Sequence, residues 1–92
     1  MKDNRYRAIK SLIETKGIQG LRDVFTIIPL SVVKGDMKIN YNTLRRRVNR
    51  TELLTLKDIL DIAALVEVDP VEIFRLAITD FSKNIKPPAK KK

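Results

Sequence analysis

The sequence predicts an all-α fold, and three observations carry the prediction. Apolar residues recur at i, i+3, i+4 and i+7 through several segments of the 92-residue chain. Residues that start and stop helices stand at the ends of those segments. No stretch shows the strict alternation of a half-buried strand, and no internal repeat is visible. The apolar share of 43% is ordinary for a globular protein, and with 5% aromatics and no Trp the core must be aliphatic. A chain of this length can build one small core but not two.

Asn4 to Lys16 reads as an amphipathic helix with Tyr6, Ile9, Leu12 and Ile13 on one face. Asp3 or Asn4 can cap its start, and Gly17 can end it. It either covers the core or offers a dimerisation surface. A second helix, Leu21 to Ile28, places Leu21, Val24, Phe25 and Ile28 on one side, and Pro29 stops it. A third helix, Ser31 to Met37, buries Val32, Val33 and Met37. Gly35 either weakens it or allows a close backbone approach. Lys38-Ile39-Asn40 forms a turn, with Ile39 pointing inward. Asn40 caps a fourth helix, Tyr41 to Asn49, in which Leu44 and Val48 form one narrow apolar stripe. Leu53 and Leu54 dive into the core. Thr55 caps a fifth helix to about Val66, with Asp58 completing a capping box and Leu56, Ile59, Leu60, Ala63 and Val66 facing inward. Asp69-Pro70-Val71-Glu72 is the clearest helix start: Asp caps, Pro takes the first position and Glu reaches back. The sixth helix runs to about Ile78, with Ile73, Phe74, Ala77 and Ile78 toward the core. Lys83 to Lys92, KNIKPPAKKK, is a basic tail.

Cys and His are both absent. This removes disulfides, thiolate nucleophiles, the usual zinc ligands and the commonest general base. No triad, phosphate-cradling loop or metal cluster stands out, so we expect neither an enzyme nor a cofactor. No apolar run approaches the roughly 18–20 residues of a membrane span, and the charged N-terminus lacks the apolar centre of a signal peptide. The expected location is cytoplasmic.

The net charge of +8 is unevenly placed. Residues 1–16 carry +3, 17–38 carry +1, 39–51 carry +4, 52–82 carry −5 and 83–92 carry +5. Residues 39–51 hold four arginines and no acid. A basic face of one sign attracts polyanions, whereas a merely solubilising face mixes signs. The stretch Pro29 to Arg50, PLSVVKGDMKINYNTLRRRVNR, thus reads as a short helix, a tight turn and a second helix suited to lying against an anionic surface.

Two stretches resemble the lambda-repressor-like (Cro and phage-repressor, XRE-type) helix-turn-helix family. VVKGDMKINYNTLRRRV is similar to its second helix, turn and recognition helix. LLTLKDILDIAALVEVDPVEIFRL is similar to its two closing helices, matching at Leu56, Ile59, Ile62, Ala63, Leu65, Val68, Asp69, Ile73 and Phe74. The resemblance spans Leu21 to Ile78. It implies a five-helix helix-turn-helix bundle over residues 20–82, an additional N-terminal helix over 1–19 and a flexible basic tail over 83–92. The chain departs from the family at Lys34, where a small residue is usual, at Lys38, where Gly suits a left-handed backbone, and at Arg47, where an apolar residue is usual.

The resemblance implies that early residues of the fourth helix touch base edges: Tyr41, Asn42, Arg45 and Arg46. Their chemistry fits, since Arg forks onto guanine O6 and N7, and Asn pairs with adenine N6 and N7. Tyr41 can instead be a packing residue. Lys34, Lys38, Asn40, Thr43, Arg47 and Arg50 are assigned to phosphates, which add affinity without sequence information. The implied function is sequence-specific binding of double-stranded DNA by a small transcriptional regulator, acting as a two-fold homodimer. The alternative is a protein-interaction module, such as an antitoxin or mobile-element accessory protein, that holds a partner through the N-terminal helix. A nonspecific RNA or single-strand binder is disfavoured by the scarcity of stacking aromatics.

Overall fold

Six helices form close to where the periodicity puts them. The computed structural model describes residues 3–84 as α1 (Arg5–Glu14), α2 (Leu21–Ile27), α3 (Leu30–Met37), α4 (Tyr41–Asn49), α5 (Leu56–Val66) and α6 (Pro70–Asn84). A single 3₁₀ turn, Thr51–Leu53, joins α4 to α5. No strand occurs among the described residues, and none of their helices is long and apolar enough to cross a membrane. The basic tail from residue 85 onward lies outside the described residues.

One core takes side chains from every helix. Ile9, Leu21, Val33, Leu44, Ile62 and Ile73 are all essentially fully buried in it. The first helix, read as an addition to the domain, is therefore part of the same packing unit. It buries Tyr6, Ile9 and Ile13 and packs against α5 and α2. Its N-terminus is closed by Asp3, whose carboxylate accepts the Arg5 backbone N–H at 2.9 Å. Thr55 and Asp58 form the expected capping box at α5. Asp69 caps α6 by accepting the Val71 N–H at 2.9 Å. Glu72 does not reach back, because its carboxylate instead takes the Arg75 guanidinium one turn on.

Three helices end in the same way. The backbone turns left-handed at Lys16, Lys38 and Glu67, with φ of 62°, 58° and 65°. The following N–H then reaches back to a carbonyl of the last turn: Gly17 to Leu12, Ile39 to Lys34 and Val68 to Ala63. These are Schellman closures with a non-glycine residue in the strained position. At α1 it is Lys16, not Gly17, that adopts it.

Several sequence expectations are corrected. α3 begins at Leu30, with extended Pro29 just before it. α6 continues six residues past Ile78, because Asp80 and Phe81 still face the packed side. Leu12, Leu53, Leu56, Leu60, Phe74 and Ile78, all expected inside, are exposed. On α5 the buried arc is Ile59, Ile62, Ala63 and Val66, which leaves Leu56 and Leu60 on its flank. Gly35 makes no close approach, since an added Cβ would meet nothing within 4 Å.

A long-range contact the sequence did not reveal joins α6 to the start of α2. Buried Asp80 accepts the Arg22 backbone N–H at 2.8 Å, capping α2 from another helix. It lies so close to Gly20 that a Cβ there would fall 2.1 Å from its Oδ1. The Gly20 backbone is extended, so this glycine is required for space, not for its torsion angles. Gly20→Ala should therefore destabilise the fold by about 1–3 kcal/mol. Gly35→Ala, in open helical space, should stabilise it by about 0.5–1 kcal/mol. Urea unfolding of the two variants measures both signs.

α1 is also tied to α3, through the Tyr6 hydroxyl donating to Asp36 Oδ2 at 2.6 Å. Burial first, and then this hydrogen bond, push the Tyr6 phenol well above its ordinary value. The folded chain thus holds the phenolic proton more tightly than the unfolded chain. The resulting stabilisation is complete below pH about 10 and is lost as pH rises from there toward the folded value. Thermal melts from neutral to alkaline pH should show a steeper loss of Tm above pH about 10 for the wild type than for Tyr6→Phe.

Candidate nucleic-acid interface

Helix α4 has little to hold it in place. It buries only Leu44 and Val48, and at nine residues it is too short to be stable alone. Three polar devices complete its anchoring. At its start, the Asn40 side chain accepts the backbone N–H groups of Asn42 at 2.8 Å and Thr43 at 3.3 Å. Midway, Arg47 donates from Nη1 to both oxygens of Asp58, at 2.9 and 3.2 Å. At its end, the Arg22 guanidinium of α2 donates to the Asn49 carbonyl at 3.3 Å. That contact puts a cation where the helix dipole is negative.

The site residues fall into distinct environments. Asn42, Arg45 and Arg46 lie on one exposed arc of α4, opposite Leu44 and Val48. Tyr41 stands at the N-terminal end of the helix and is also exposed. Arg45 and Arg46 form no ion pair among the described residues. Asn40 is exposed and uses its carbonyl oxygen for capping, while Thr43 is half-buried. Lys34 is half-buried on α3, and Lys38 is exposed at the left-handed end of that helix. Lys38 adopts the left-handed backbone at which Gly is usual in the family, with a φ of 58°.

The two remaining arginines are different. Arg47 was assigned to phosphate, but its guanidinium turns inward to Asp58. Their side chains are 27% and 6% exposed. Asp58 completes the expected capping box and is in addition a buried hub that holds the Thr55 N–H and Arg47 together. Arg50 is exposed but pairs with Glu52 at 3.2 Å. Sequence reasoning also missed Arg22 and Asp80. Their partners lie 27 and 58 residues away in the chain, so no local spacing marks them.

The acidic segment 52–82 is committed internally. Asp58 binds Arg47, Glu52 binds Arg50, Asp61 binds Lys57 and Glu72 binds Arg75. Asp69 caps α6, and Asp80 caps α2. Most of its carboxylates thus serve pairs and caps, while Arg45 and Arg46 keep unneutralised charge.

No protein-family model matches the chain, and neither a curated relative nor a similar solved structure was found.

The two kinds of arginine should separate in stability measurements. Arg47→Ala strands buried Asp58 and should cost about 1–3 kcal/mol. Arg45→Ala and Arg46→Ala should each stay within about 0.5 kcal/mol of wild type. Chemical denaturation of the three single variants checks the contrast.

Proposed function

We propose that the chain is a sequence-specific double-stranded DNA-binding protein of the lambda-repressor-like helix-turn-helix type, and that α4 is its recognition helix. The observation that carries the reading is the exposed, acid-free arc of α4, on which Arg45 and Arg46 have no ion-pair partner among the described residues. The sequence resemblance and the order of α3, tight turn and α4 support it. Arg45 and Arg46 present planar forks for guanine, and Asn42 presents a donor and acceptor for adenine. Tyr41 supplies an apolar surface for a thymine methyl or a hydroxyl for phosphate. Lys34, Lys38, Thr43, the amide of Asn40 and, at the far end of the helix, Arg50 are the phosphate contacts of this reading. Arg47 takes a positioning role, fixing α4 against the start of α5 through Asp58.

The alternative in which α1 holds a protein partner has less support. The apolar side of α1 is already buried in the chain's own core, leaving mainly polar residues outward.

Selection from random duplex DNA should yield a defined consensus for the wild type, and Arg45→Ala/Arg46→Ala should lose it. Each arginine should be worth roughly tenfold or more in affinity for the selected site. Lys38→Ala should weaken all sequences alike and reduce the salt slope by about one. Steep salt dependence without a consensus would leave a nonspecific polyanion binder. No binding at low salt would defeat the DNA reading.

A further inference from the structure

A shallow groove of about 210 Å³ runs along the outer side of α6, lined by Leu54, Ile59, Phe74, Ala77, Ile78 and Phe81. Two of the three phenylalanines of the chain stand in it, two helical turns apart on α6. Phe74 is 49% exposed and Ile78 46%, so the groove is apolar but uncovered. Glu52 and Thr51 complete its lining. Thr51 is tied to the Ala77 carbonyl at 2.8 Å, which sets Glu52 beside the middle of α6.

We infer that residues 85–89 of the same chain, Ile-Lys-Pro-Pro-Ala, dock in this groove, running back along α6. Three features point to this segment. First, it is within reach. Phe81 lies one turn before the end of α6 at Asn84. From Asn84 back to Phe74 is ten helical residues, about 15 Å. Five extended residues span about 16 Å, so 85–89 match the length of the groove. Second, the segment is shaped for it. Pro87 and Pro88 cannot continue a helix, and Lys86 before them is disfavoured in one, so the chain must leave the line of α6 just past Asn84. Adjacent prolines favour an extended, pre-ordered backbone, which aromatic-lined grooves bind at low entropic cost. Pro87-Pro88 is the only proline pair in the sequence, and four of residues 85–89 are apolar. Third, the charges agree. The lysines at 90–92 follow directly, and Glu52 offers them a carboxylate beside the groove. Because the segment is tethered, its effective concentration is in the millimolar range, so an intrinsic Kd of about a millimolar already suffices to fill the groove half the time. This contact stands independently of whether α4 reads DNA.

The test is paramagnetic relaxation enhancement in the full chain. The chain has no cysteine, so Lys91→Cys gives one unique site for a nitroxide label. The label should broaden the amides of residues 51–54 and of Phe74, far from the end of α6, and dilution should leave that broadening unchanged. Pro87→Ser/Pro88→Ser and Phe74→Glu should each weaken docking at least about tenfold, reducing the broadening at these amides to a small fraction while the helical circular dichroism is kept. The proline variant decides alone should Phe74→Glu fail to fold, since it touches no described residue. Broadening confined to the last turn of α6 would overturn the inference, as would broadening that the folded variants leave unchanged. Broadening that passes from a nitroxide-labelled chain to an unlabelled, isotope-enriched one in a mixed sample would also overturn it, by placing the segment on another molecule.

Discussion

Helix α4 has only two side chains, Leu44 and Val48, to hold it to the rest of the molecule. An apolar stripe that thin leaves most of the helix surface free, and it also leaves the helix weakly determined. Much of the surrounding polar structure compensates. The Asn40 cap fixes the N-terminal end, the Arg47–Asp58 pair fixes the roll, and Arg22 closes the C-terminal end. Asp58 in turn is held by the Thr55 capping box, and the start of α2 beside Arg22 is held by Asp80. The precision of α4 therefore rests on carboxylates drawn from the acidic part of the chain.

That arrangement gives the uneven charge distribution a physical role. The burial of Asp58 to 4% exposure is offset because its side chain receives a guanidinium and a backbone N–H together. The same pairing withdraws Arg47 from the surface. Glu52 similarly moderates Arg50. What remains unneutralised on α4 is Arg45 and Arg46, on the arc away from the core. The segment of net charge +4 thus resolves into two structural cations and two available ones, a division that composition cannot express.

Local signals made most of the fold legible. Asn40 before Tyr41, Thr55 before Leu56 and Asp69-Pro70 each place a helix start within its own few residues, and all three hold. Pro29 likewise ends α2 and precedes α3. The end of α6 was less legible, since after Ile78 the packed side is carried partly by polar Asp80. Two other kinds of information were hidden. The polar pairs Tyr6–Asp36 and Arg22–Asp80 join residues 30 and 58 positions apart, so their geometry exists only after the chain has folded. The width of the apolar stripes on α5 and α6 was visible, but not which flank the core would leave bare. Periodicity identifies Leu56, Leu60, Phe74 and Ile78 as apolar-face residues, yet the elements among the described residues leave them uncovered. The exposed arc of α4 was readable from its lack of acids, while the pairing of Arg47 was not.

The bare flank and the basic helix are linked through the 3₁₀ turn. Thr51 is buried, and its hydroxyl donates to the Ala77 carbonyl of α6 at 2.8 Å. Leu53 N–H returns to the Arg50 carbonyl just past α4, at 2.9 Å. The end of α4 and the middle of α6 are thereby joined by a short hydrogen-bonded path with little slack. Ala77 and Thr51 also line the groove beside Phe74 and Ile78. Loosening it at Thr51 would change the relative placement of the two surfaces without altering the chemistry of either. For a helix that buries only Leu44 and Val48, that placement depends on this path as much as on the helix's own contacts.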